Sequence, residues 1–159
     1  MLKELLEKYD LKLAVAESLT GGKLSAKICN EEGISKYYLG SITAYSNKIK
    51  NKVLNVDMEF LDKFGPYNLT TTKCMCDGAM ELMGADITVA TSGVAGPGPD
   101  LGVEQGTYFI TIKIKGKNNY RYFNKEFKSN CKTRGGVRAE AMTNSYKYLI
   151  EVLSNYNKY

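Results

Sequence analysis

The chain contains no histidine. That absence removes serine–histidine and cysteine–histidine catalysis, so any general base must be Lys, Asp, Glu or Tyr. No apolar run approaches the roughly 20 residues needed to cross a bilayer. The opening stretch, Met1-Leu2-Lys3-Glu4-Leu5-Leu6-Glu7, carries acidic side chains and lacks the apolar segment of a signal peptide. A cytoplasmic protein with no membrane partner is expected. The four cysteines, Cys29, Cys74, Cys76 and Cys131, include one close pair but no second pair and no histidine to complete a zinc site. No metal is therefore expected, and the thiols should be reduced. Basic residues exceed acidic ones, 22 to 17, yet the lysines are scattered and form no nucleic-acid arm. Nucleic acid is not expected as a partner. A net charge of +5 suits an anionic small ligand, or simply a solvated surface. No repeat, low-complexity tract or linker interrupts the 159 residues, which predicts one domain over residues 1–159.

What is present alternates in period. Leu2, Leu5, Leu6 and Tyr9 fall on one helical face. The apolar run from Leu11 to Ala16 reads as a strand covered on both faces. A second helix is predicted over Lys23 to Cys29, and a second strand over Tyr38 to Tyr45. Ser46 or Asn47 can cap a third helix, and Asp57 a short fourth one, Met58 to Lys63. A long helix should begin near Thr70 to Thr72, with Met75, Ala79, Leu82 and Met83 inward, and stop at Gly84. Asp86 to Thr91 is a third strand. Thr107 to Ile114 and Tyr120 to Phe127 pair as a hairpin. A last helix, Lys132 to Asn155, buries Val137, Ala141, Tyr148, Leu149, Val152 and Leu153. Such alternation predicts an α/β fold with helices on both faces of a mixed sheet.

Ligands of open α/β sheets collect beyond the strand ends. Three segments are candidates to meet there. The first is Glu17-Ser18-Leu19-Thr20-Gly21-Gly22, between a strand and a helix. Its glycines permit close approach to the main chain, and its unpaired N–H groups suit negative charge. It can hold a phosphate, present Ser18 as a nucleophile, or serve as an ordinary capped turn. The second is the strand end from Tyr45 to Lys50. The third is Ser92 to Gly102, whose Gly and Pro content marks a shaped loop.

In this order the segments resemble the C-terminal domain of the CinA family, the nicotinamide mononucleotide amidohydrolases. The A-E-S-x-T-G-G signature is matched by Ala16 to Gly22, and Y-S-N-x-x-K by Tyr45 to Lys50. G-[IV]-A-G-P is matched by Gly93 to Pro97, a G-T hairpin entry by Gly106-Thr107, and R-x-x-x-R by Arg134 to Arg138. The resemblance covers residues 11 to 153. It implies a three-layer α/β/α sandwich with a mixed, mostly parallel sheet. It implies hydrolysis of the nicotinamide mononucleotide carboxamide to the acid and ammonia, without cofactor, and assembly as a homo-oligomer. Ser18 would be the nucleophile and Lys50 its base, with Tyr45 helping to return the proton to ammonia. Thr20, Gly21 and Gly22 would supply oxyanion donors, aided by the Ser92 hydroxyl. Gly93 and Gly96 would shape the loop against the substrate, and Arg134 and Arg138, one helical turn apart, would clamp its phosphate.

Two stretches depart from the family pattern. Where G-A-V-S is usual this chain has Gly65-Pro66-Tyr67-Asn68, and where K-P-V-G-T is usual it has Val103-Glu104-Gln105-Gly106-Thr107. These changes leave two alternatives: a non-catalytic nucleotide-binding module, and a hydrolase for a different carboxamide.

Overall fold

A computed structural model describes residues 1–156. Along the chain run α1 (Leu2–Tyr9), β1 (Leu13–Glu17), α2 (Lys23–Cys29), a 3-10 turn (Ile34–Lys36), β2 (Tyr38–Thr43), α3 (Asn47–Leu54), α4 (Met58–Phe64), α5 (Leu69–Met83), β3 (Ile87–Gly93), β4 (Thr107–Lys115), β5 (Tyr120–Lys128) and α6 (Arg134–Ser154). The strands form one sheet in the order β2-β1-β3-β4-β5. β1 pairs in parallel with β2 and β3, while β3–β4 and β4–β5 are antiparallel. The sheet is therefore evenly mixed, because the late hairpin adds as many antiparallel pairings as the first three strands add parallel ones.

Alternation along the central strands divides the core between two faces. Leu13 and Val15 of β1, Ile87 and Val89 of β3, and Ile110 and Ile112 of β4 point toward α1, α2 and α6. Ala16 and Ala90 point the other way, onto Leu54, Leu61, Met75, Cys76 and Ala79 of α3, α4 and α5. The result is a three-layer α/β/α sandwich. No described helix is long and apolar enough to cross a membrane.

Helix starts follow the capping residues. Ser46, Asp57, Asn68 and Thr133 each accept a hydrogen bond from the backbone N–H three residues on. The inward face of α5 differs from the sequence expectation at one residue. It turns through Cys76 and Met80, leaving Leu82 at its rim, 57% exposed.

Because β1, β2 and β3 are parallel, their carboxyl ends open at one edge. β1 leads into α2 on one face, while the path from β2 to β3 runs through α3, α4 and α5 on the other. The strand order thus reverses around β1, and the crevice of a doubly wound sheet lies at that point. The position of α3 depends on a close approach to α5. A Cβ added to Gly78 would lie 2.0 Å from the Leu54 carbonyl oxygen, with backbone and not a flexible side chain in the way. Gly78→Ala should therefore destabilise the fold by about 2–3 kcal/mol, overriding the better helix propensity of alanine. Urea unfolding, with an unchanged denaturant slope, measures this.

Candidate active site

Ser18 directly follows β1 and is buried, its N–H bonded to the Thr91 carbonyl at 3.1 Å. The residue before it, Glu17, is fully buried, and its carboxylate does not face the pocket. It accepts from the backbone N–H groups of Gly22 (2.9 Å), Leu24 (3.1 Å) and Ser25 (2.8 Å). The start of α2, whose cap is Gly22, is thereby closed by a carboxylate from within the turn. These donors would have been the cradle for a phosphate, and Glu17 already occupies them. Gly21 N–H bonds the Ser18 carbonyl at 3.1 Å. Of the turn's donors, the N–H groups of Leu19 and Thr20 have no acceptor among the described residues. The N–H groups of Gly21 and Gly22 are thus already committed within the turn, and those of Leu19 and Thr20 are not. Thr20 also exchanges a 2.8 Å hydroxyl contact with Thr91, tying the turn to β3.

Lys50 projects from the first turn of α3, which Ser46 caps. Its side chain is 1% exposed. Nζ lies 3.0 Å from Ser18 Oγ, 2.9 Å from the Ala44 carbonyl and 3.2 Å from the Tyr45 carbonyl. No carboxylate forms an ion pair with it among the described residues. Burial alone lowers its pKa from 10.5 to about 8, since the ammonium is the form that loses solvation. The three neighbours define what the amine can do. Carbonyl oxygens only accept, so both hydrogens of a neutral amine go to Ala44 and Tyr45. Its lone pair then faces the Ser18 hydroxyl, the arrangement of a base beside a nucleophile.

The phenol of Tyr45 points elsewhere. Among the described residues it has no hydrogen bond to Lys50 and instead accepts one from Arg134 at 2.5 Å. Arg134 also donates to the Gly96 carbonyl at 2.7 Å, so it stands at the pocket mouth between two loops. Arg138, one turn further along α6, does not reach the mouth. It donates to the carbonyls of Leu19 (2.9 Å) and Thr20 (3.3 Å) and shapes the nucleophile turn from behind. The two arginines share a helix but not a ligand site. The Ser92 hydroxyl is buried and donates to the Pro66 carbonyl at 2.7 Å. It braces the α4–α5 connection, with its proton committed there. Gly93 is needed for packing, because a Cβ would lie 2.5 Å from that of Tyr108. Gly96 leaves room for Gln105, which holds the loop by accepting from Gly98 N–H and donating to the Lys132 carbonyl.

A cavity of about 570 Å³ opens over Ser18 and Lys50, with Tyr45, Pro66, Tyr67, Asp100 and Arg134 around it. Sequence reasoning missed Glu17, Tyr67, Asp100 and Gln105. A signal for Glu17 was present: a helix opening at Gly22 has no side-chain cap of its own and needs one from nearby. Tyr67 and Gln105 fell within the two stretches that depart from the family pattern.

Comparison with known proteins places this geometry in context. The family model of the CinA C-terminal domain matches residues 1–153. A CinA-like protein of Dictyoglomus thermophilum is 38% identical over 119 residues, 74% of this chain and 29% of that protein. A putative competence-damage inducible protein of Shouchella clausii is 36% identical over 152 residues, 96% of this chain and 36% of that protein. The chain thus spans roughly a third of the length of these curated relatives. Among solved structures, a competence-damaged protein (CinA) superfamily protein from Klebsiella pneumoniae superimposes with a TM-score of 0.89 at 27% identity, covering 97% of this chain and 94% of that one. A competence or damage-inducible protein from Enterobacter asburiae gives 0.82 at 32% identity, covering 96% and 92%.

The buried lysine has a consequence for stability. Below about pH 8 Lys50 is charged in both folded and unfolded chains, and the folded state carries the full cost of desolvation. Between about 8 and 10.5 the unfolded chain holds a proton that the folded one has released, so stability rises with pH. Over that window Lys50 should add about 3 kcal/mol to the unfolding free energy. Denaturant titrations at a series of pH values should show this rise in the wild type relative to Lys50→Met.

Proposed function

The chain belongs to the CinA C-terminal domain family, and from that premise we propose that it hydrolyses the carboxamide of nicotinamide mononucleotide to nicotinate mononucleotide and ammonia. The observation that carries this reading is Lys50 Nζ, buried without a counter-ion, 3.0 Å from Ser18 Oγ. Amide hydrolysis in a chain without histidine needs such a base, and a lysine serves once burial has brought its pKa toward neutrality.

Ser18 Oγ attacks the carboxamide carbon while Lys50 takes the hydroxyl proton. The carbonyl oxygen becomes an oxyanion, held by the free N–H groups of Leu19 and Thr20. As the tetrahedral species collapses, the C–N bond breaks and the Lys50 ammonium passes its proton to the departing nitrogen. Ammonia leaves, and the acyl group remains on Ser18. Water then attacks the ester carbon, with Lys50 again accepting the proton. Collapse of this second intermediate returns that proton to Ser18 Oγ and frees the carboxylic acid. Tyr45 contributes through its carbonyl, which orients Nζ, and its phenol orients Arg134. Arg134 is the guanidinium available at the mouth for the substrate phosphate. The mechanism needs no cofactor, and its setting is the cytoplasm.

The test is ammonia release from nicotinamide mononucleotide by the purified chain. Wild-type protein should be active, and Ser18→Ala and Lys50→Met should each lose at least about 10³-fold in kcat while remaining folded. The wild-type kcat/KM should rise with pH through an apparent pKa near 8, since free enzyme must hold Lys50 neutral. Undiminished activity in Ser18→Ala would sink the serine mechanism. Binding without turnover by the wild type would leave a nucleotide-binding module. Arg134→Ala should raise KM for the mononucleotide about 10–100-fold, because a charge-assisted contact to phosphate is lost.

A further inference from the structure

The pocket over Ser18 holds a polar pair that the proposed chemistry does not use. Tyr67, in the α4–α5 connection, donates its hydroxyl to Asp100 Oδ2 at 2.5 Å across the pocket mouth. Asp100 lies in the β3–β4 loop and is fixed from its own side as well. It exchanges backbone hydrogen bonds of 3.0 and 2.9 Å with Val103, closing a turn through Leu101 and Gly102. Leu101 sits there at φ 47, a conformation that a leucine adopts only under constraint. Asp100 has no basic partner among the described residues, and its Oδ1 accepts no hydrogen bond there. The carboxylate is exposed at the rim of the cavity, with one oxygen held by Tyr67 and the other free of protein donors among the described residues.

Burial and the Asp100 carboxylate push the Tyr67 phenol up to about 12, while the charge of Arg134 acts against them. Tyr67 thus stays a donor, and it shares its surroundings with the Arg134–Tyr45 pair. The mouth is polarised: a guanidinium on α6 and a carboxylate on the loop, each held by a tyrosine hydroxyl. The guanidinium suits a phosphate. The carboxylate repels one and accepts from O–H or N–H donors. A vicinal diol presents two such donors side by side, as ribose hydroxyls do to an acidic residue in dinucleotide folds.

We propose that Asp100, positioned by Tyr67, recognises the ribose 2′,3′-diol of a ribonucleotide substrate, making this site selective against deoxyribonucleotides. The proposal rests on the amidohydrolase reading for what the diol is attached to. It deepens that reading by setting the sugar specificity of the site. Tyr67 is a positioning residue, and Asp100 is the one that meets the ligand.

Equilibrium binding tests it apart from turnover. Calorimetry on folded Ser18→Ala protein would compare nicotinamide mononucleotide with its 2′-deoxy analogue, and uridine monophosphate with deoxyuridine monophosphate. The ribo form should bind about tenfold more tightly within the pairs that bind. Adding Asp100→Asn should bring the two forms within about twofold, and Tyr67→Phe should give an intermediate loss. A merely structural role would weaken both sugars alike and preserve their ratio. Equal binding of ribo and deoxy forms, a ratio that survives Asp100→Asn, or no binding of any of the four nucleotides overturns the proposal. Ammonia release is read separately on wild-type protein. Its absence with the sugar ratio intact removes the amidohydrolase reading and keeps the diol site, while its presence with no sugar preference does the reverse.

Discussion

A lysine buried without a carboxylate is the constraint around which the site is built. Two backbone carbonyls and a hydroxyl satisfy its hydrogens, but none of them supplies a compensating charge. The nearest acid in sequence to the nucleophile, Glu17, is itself buried, and an ion pair between the two would be the obvious way to settle both. Such a pair would hold Lys50 protonated and raise its pKa, removing it as a base. Glu17 instead spends its charge on the N-terminus of α2, where three N–H groups and the helix dipole stabilise it. Opposite charges that flank Ser18 are thus kept apart, each with a different neutral partner. That separation leaves the buried Lys50 amine beside the Ser18 hydroxyl with no counter-ion among the described residues, at the cost of its desolvation.

The same logic explains the division between the two arginines. The turn after Ser18 contains Gly21 and Gly22, both at positive φ; its Thr20 carbonyl accepts from Lys23 N–H at 3.1 Å, while its Leu19 carbonyl has no backbone donor among the described residues. Arg138 supplies the donor for Leu19, adds a second one to Thr20, and fills the space beside Gly21, where a Cβ would lie 2.6 Å from its guanidinium. Arg134, with no such duty, reaches the mouth. One helix therefore braces the Ser18 turn and places a guanidinium at the pocket mouth, from positions a single turn apart.

Much of this was legible from residue patterns. α2 begins and ends where periodicity placed it, and Ser46 and Asp57 cap their helices. The three loops meet at one sheet edge because three successive strands are parallel. What could not be read was the direction of individual side chains. The spacing of Arg134 and Arg138 says that they share a helix face, but a turn of rise separates their reach by more than a hydrogen bond. The turn from Glu17 to Gly22 reads as an anion cradle because its N–H groups are unpaired in sequence logic. The pattern does not reveal that the anion is its own glutamate. Leu82 was misplaced for a related reason: four apolar positions underdetermine the centre of a face that Cys76 and Met80 complete.

Chemistry and recognition occupy different parts of the chain. Ser18, Lys50 and their supports come from β1, the β2–α3 junction, the end of β3 and one side of α6, all packed into the two cores. The pocket mouth is lined by Pro66 and Tyr67, by the loop from Gly96 to Leu101, and by Arg134 with Tyr45. Ser92 is the joint between them, since its buried hydroxyl holds the Pro66 carbonyl and so sets where Tyr67 begins. Gln105 does the same for the other wall, bridging Gly98 to the start of α6. Side chains have here taken over bracing that a proline would supply through the backbone. Such bracing lets residues at the rim change without moving Lys50 against Ser18.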